Sequence, residues 1–186
     1  MGFVDSIKKG WDIFTLKQSA MTDVAKDSSA TGWAFLILAI AGAVGGMWAA
    51  GTLFSISGLI TGAIGTVIFG GFVWVGIMHL FAKMFGGTGT YMGYFRGSSH
   101  YYVMMWIAVI PVVGPIISSL LSLWGIVVNV FLMKSIHQLP TGKAVAAVLI
   151  PIAILFVLFL LLAAMLVAIL GAGYLGYLGG AGKLPI

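Results

Sequence analysis

The stretch that decides the fold is YYVMMWIAVIPVVGPIISSLLSLWGIVVNVFLMK, from Tyr101 to Lys134, which carries no charge before its last residue. Read as one helix together with the residues from Gly97, it would be about 55 Å long, against a bilayer core of about 30 Å. Pro111 and Pro115 stand mid-run in IPVVGP. Each lacks an N–H donor and pushes the residue before it away from helical angles. Gly114 adds a permissive position between them. The reading is a tight re-turn that separates one span at about 99–110 from another at about 115–133. A single kinked helix is the alternative.

The rest of the chain sets this stretch in a membrane. The 186 residues are 61% hydrophobic and 7% charged, with a mean hydropathy of +1.17. A soluble domain carries about 25% charged residues. The composition describes an all-α, polytopic helical bundle whose first partner is the lipid bilayer. The net charge is +5, and all four acidic residues lie in the first 27 positions. The later cations are scattered at Lys83, Arg96, Lys134, Lys143 and Lys183, so no nucleic-acid surface is expected. The absence of cysteine removes disulfides and thiolate chemistry.

Three regions are expected: an amphipathic N-terminal segment at 1–31, a membrane domain at 32–173 and a glycine-rich, loosely ordered tail at 174–186. In the first, Phe3, Ile7, Trp11 and Phe14 share a helix face away from most of the charges. Two readings stay open, a helix lying on the membrane surface and one packed on the bundle. The opening MGFVDS fits the myristoylation pattern, but so short a match arises readily by chance. No cleavable signal peptide is expected.

Five spans are expected, the other three lying at about 33–50, 59–81 and 144–170. The first two meet at GTLFSISG, and Pro151 stands near the start of the last. The run KMFGGTGTYMGYFRGSSH, with five glycines, reads as an interfacial loop. Five spans put the N-terminus in the cytoplasm and the C-terminus outside. Every cation but Lys183 then lies inside, in keeping with the positive-inside rule.

Three segments, LFAKMFGGTGTYMGYFR, IPVVGPIISSLLSLWGIVVNVFLMKSIHQL and HQLPTGKAVAAVLIPI, together resemble the Yip family, the Ypt/Rab-interacting membrane proteins. They run from about Leu80 to Ile152, and the resemblance is to the short prokaryotic members. It implies five spans and a cytoplasmic N-terminus. It also implies work by binding or organising membrane components rather than by catalysis. The N-terminal segment of about 31 residues leaves little for a Rab-type GTPase.

No ionisable side chain lies deep in an expected span, where such a group would mark a relay or ion path. His79, His100 and His137 are expected near one interface as backbone or headgroup partners, not as a metal site. Ser55 and Ser57 lack a base within reach, so no serine hydrolase is expected. Trp11, Lys83, Tyr91, Tyr94, Arg96, Lys134 and Lys143 are the candidate lipid or interface residues. Gly42, Gly46, Gly58 and Gly62 suit close helix packing, and Asn129 suits an interhelical hydrogen bond. Pro111, Gly114 and Pro115 form the turn.

The reading is a non-enzymatic membrane protein without cofactor, in a prokaryotic cytoplasmic membrane, acting on a membrane-protein partner or as a homo-oligomer. An accessory subunit of a larger complex is the first alternative. A small channel or transporter for a neutral or anionic solute is the second. The latter needs a polar cavity near Asn129 or a broken helix.

Overall fold

A computed structural model describes residues 1–47 and 54–181, with side chains described to residue 171. All secondary structure among them is helical. The helices are α1 (Phe3–Phe14), α2 (Gln18–Lys26), α3 (Ala30–Gly46), α4 (Ile56–Gly65), α5 (Val75–Met84), α6 (Tyr91–Tyr101), α7 (Val113–His137) and α8 (Thr141–Ala181). A π-helix, Thr66–Trp74, joins α4 to α5, and a 3-10 helix, Tyr102–Val109, continues α6. The chain forms two compact units, Met1–Val148 and Leu149–Ile186.

Three helical stretches are long and apolar enough to cross a membrane: Ile56–Met84, Val113–His137 and Thr141–Gly171. α2 and α3 would add a fourth if taken as one span, but they meet at 112°. The 3-10 helix covers most of the expected span at 99–110, and its eight residues are too few to cross. Of the expected turn at 51–58, residues 51–53 lie outside the described residues, and Phe54 and Ser55 lead into α4 at Ile56.

The opening stretch is two elements. After the 3-10 helix, Val112 takes φ 63° and ψ −57°, and the Val113 N–H donates to the Pro111 carbonyl at 2.7 Å. This is a γ-turn of the strained hand. Gly114 is buried against Ala108 and the Ile107 carbonyl, where a Cβ would collide with backbone. The turn therefore needs a glycine beside it as well as the prolines.

Gly42, Gly46, Gly58 and Gly62 bring α3 and α4 into backbone contact. A Cβ on Gly42 would strike the Gly62 carbonyl, and one on Gly46 the Gly58 carbonyl; the reverse holds for each partner. Without a hydrophobic force between helices in lipid, such close van der Waals contact is what holds them. Ser55 caps α4 by accepting the Gly58 N–H at 3.0 Å.

Two expectations change, and one of two open readings is decided. The run from Lys83 is a loop only as far as Thr90, and α6 follows it. Thr90 Oγ1 accepts the Gly93 N–H at 3.1 Å as the N-cap, and Tyr94 and Phe95 are fully buried. Five glycines in the run conceal this aromatic face. α1 packs on the bundle, burying Ser6, Gly10 and Ile13, with Phe3 beside Trp33 and Trp106 and Phe14 beside Trp124, while Trp11 stays exposed. A Cβ on Gly10 would come within 2.5 Å of the His100 carbonyl, so a small-residue face seats the helix. The helical backbone also continues to Ala181, through much of the expected tail. Intrahelical hydrogen bonds are the cheapest way to satisfy backbone groups in lipid.

The second unit, Leu149–Ile186, is helical to Ala181 and apolar on every face through residue 171. That is the pattern of a helix surrounded by hydrocarbon.

Candidate functional site

The polar chemistry gathers where α5 and α7 end. Gly86, at φ 90°, closes α5. The Gly86 N–H donates to the Lys83 carbonyl at 3.0 Å and the Gly87 N–H to the Ala82 carbonyl at 2.8 Å, which is the Schellman arrangement. The chain then lies across the end of α7, where the Thr88 N–H donates to the His137 carbonyl at 3.0 Å. Side chains at Gly87 or Gly89 would meet the imidazole of His137 within about 3 Å. Gln138 ends α7 in the left-handed conformation at φ 55°.

Under this strap His137 is fully buried. Its Nε2 lies 3.4 Å from Nδ1 of His79, and its Nδ1 has no partner. Tyr91 stands edge-on to His79 with ring centres 5.8 Å apart. Its hydroxyl donates to the carbonyl of Gly71 at 3.2 Å, in the π-helix whose widened turn disturbs the regular backbone ladder. The ring of Tyr94 lies tilted against His137, centres 5.5 Å apart, and its hydroxyl donates to Asn129 Oδ1 at 2.5 Å. Asn129 Nδ2 in turn donates to the Gly125 carbonyl at 2.7 Å.

Several expected interface residues are therefore placed differently. Tyr94 is interior, its hydroxyl engaged by Asn129. Arg96 is tied into the fold: Nε donates to Thr31 Oγ1 at 2.8 Å and Nη1 to the Ala25 carbonyl at 2.7 Å. It thus caps the C-terminal turn of α2, the favoured place for a cation. Tyr91 is half-buried. Trp11 is 54% exposed. Lys83 and Lys143 are exposed. Lys134 is half-buried, over the ring of Phe131 at 5.1 Å.

The histidines divide. His79 and His137 pair, whereas His100 Nδ1 donates to the Arg96 carbonyl at 2.7 Å. Among the described residues no three His, Cys, Asp or Glu side chains come together as a metal site. Asp27, in the α2–α3 link, has its carboxyl held below the ordinary range, first by the Ser29 hydroxyl.

Beside the strap is a polar recess of about 260 Å³ between α2, the start of α6 and the end of α7. Thr22, Lys26, Thr88, Thr90, Ser135 and Gln138 supply its polar lining. The N-terminal segment thus forms one wall of a folded surface. The helix-face pattern of α6, with Tyr91, Tyr94, Phe95 and Ser98 at i, i+3, i+4 and i+7, was the available signal for this arrangement.

Apolar spanning helices and small-residue crossings define a helical membrane protein. Within that class, the family described as the Yip1 domain matches residues 11–164, and the chain belongs to it. No curated protein and no solved structure matches the chain significantly.

Proposed function

We propose that this protein binds another membrane protein through the surface built by α1, α2, residues 86–90 and the turn at 138–142. The supporting observation is the recess against which α2 is folded, with Lys26 and several hydroxyls around a concave wall. A concave site with a few convergent polar groups is the usual form of a recognition surface. The buried network beneath it stiffens the surface, so less order is lost on binding. Exposed Trp11 at one edge suits an interfacial position beside a membrane-embedded partner. The reading is non-enzymatic and takes this surface to face the cytoplasm of a prokaryote. A permanent place in a larger complex is the same binding made obligate.

Native mass spectrometry after mild extraction from the source membrane tests it. The expected result is one defined partner at fixed stoichiometry, lost on Lys26→Glu and kept on Leu123→Ala at the exposed face of α7. A chain that stays alone or forms only homo-oligomers overturns the reading, as does a partner indifferent to Lys26.

A further inference from the structure

The other half of the first unit holds a second cavity, of about 270 Å³. Its walls come from α3, the first residue of the π-helix, the 3-10 helix and the early turns of α7. Five hydroxyl side chains line it: Thr66, Tyr102, Ser118, Ser119 and Ser122. Among the described residues no charged side chain and no histidine does. Thr66 is ten residues into the stretch that begins at Ile56, and the serines are five to nine residues into α7. At about 1.5 Å per residue they lie roughly 8–15 Å from those span ends, well inside a core of about 30 Å.

The hydroxyls have different capacities left. Ser118 and Ser119 both donate to the Pro115 carbonyl, at 3.0 and 2.8 Å. Ser122 donates to the Ser119 carbonyl at 2.6 Å. Their protons are used within α7, while their oxygen lone pairs remain available as acceptors. The hydroxyls of Thr66 and Tyr102 find no hydrogen-bond partner among the described residues, and neither is a sealed interior atom. Each offers both a donor and an acceptor. Leaving such groups unpaired in a low-dielectric region is costly. Two of the walls are also not α-helical, and a π-turn within a span often marks a functional position.

We propose that this cavity binds a small neutral molecule carrying several hydroxyl groups. The absence of charge gives no reason for an ion to leave water for this depth. Three acceptor serines lining the same cavity as the Thr66 and Tyr102 hydroxyls match a ligand that both donates and accepts. The volume falls just below the roughly 300–1,000 Å³ of drug-sized pockets, which suits a polyol or the hydroxylated headgroup of a neutral lipid. Such a ligand must replace the hydrogen bonds of the water it displaces, and its own hydroxyls can do so. This inference is independent of the partner-binding surface, which lies at the other end of the unit.

The test uses the full chain in lipid nanodiscs with two probes, xylitol followed by saturation-transfer NMR and dioleoylglycerol followed by native mass spectrometry. One probe is expected to saturate at one molecule per chain. Xylitol binding assigns a water-soluble source, and dioleoylglycerol binding assigns a lipid one. Tyr102→Phe, a conservative change, is expected to weaken that binding about tenfold, and Ser119→Leu to abolish it by filling the cavity. Thermal unfolding of both variants checks that they fold. If neither probe saturates on the unaltered protein, the cavity holds water alone and the proposal fails. It also fails if glycerol 3-phosphate binds as well as the neutral probe, or if folded Tyr102→Phe binds unchanged.

Discussion

The two halves of the first unit spend their polar groups in opposite ways. At the Lys83 end, His137 is sealed under a glycine strap, Tyr94 holds Asn129, and Arg96 holds the end of α2. At the Pro111 end, helices touch through bare glycine backbone, and hydroxyls surround an open volume. The first half is a specific hydrogen-bonded network, in which Ser99 Oγ, His100 Nε2 and His137 Nδ1 are the buried atoms without a partner among the described residues. The second is held by shape, with hydrogen-bonding capacity left over. Rigidity at one end and vacancy at the other suggest why recognition of a protein and of a small ligand would fall at different ends.

Substitutions can break this contrast. Gly42→Leu should be the most damaging, because its Cβ meets the fixed carbonyl of Gly62 and not a yielding side chain. A loss of about 3 kcal/mol or more is expected from overpacking of this kind, read as loss of a single folded species in detergent. Gly45→Ala on the same helix meets nothing within 4 Å and should leave stability unchanged. Equal effects of the two would show that backbone contact does not hold this half.

Tyr94→Phe should cost about 1–2 kcal/mol, by leaving Asn129 Oδ1 without its donor. Tyr94→Phe combined with Asn129→Leu should recover part of that loss, since no orphan amide then remains. Strict additivity in thermal unfolding would show that the two groups are not coupled. Val112→Gly should stabilise by about 1 kcal/mol, because a β-branched residue is strained at positive φ. A lower unfolding temperature would remove the γ-turn from the account.

The smallest effect is that of pH on Asp27. Its folded pKa is lowered, chiefly by the Ser29 hydroxyl. The carboxylate's contribution is therefore present above the unfolded value, near pH 4, and fades as pH falls through the lower folded value. Asp27→Asn should flatten that part of an unfolding-temperature profile between pH 5 and 3. The group is well exposed, so the change should be slight.

Much of this was legible in the chain. Two prolines around a glycine divided the opening stretch, because the donors they lack cannot be supplied by any fold. Hydropathy outlined the stretches Ile56–Met84, Val113–His137 and Thr141–Gly171. The four glycines announced close packing, though not that Gly42 would meet Gly62 and Gly46 would meet Gly58. α6 was hidden because its buried aromatic face is interleaved with glycine, serine and arginine, which lower local hydropathy. The role of Arg96 was equally hidden, since its acceptors are backbone and hydroxyl oxygens with no charge to signal them.

The sequence by itself determined the membrane class, the main breaks and the scarcity of ionisable chemistry, because these follow from hydropathy and local backbone sterics. Only tertiary structure decided which polar groups meet. His79 and His137 are 58 residues apart, and Tyr94 and Asn129 are 35 apart. The hydroxyl cavity draws on four elements of the chain. Periodicity assigns a residue to a face of its own helix, but its partner is chosen by how closely another helix can approach that face.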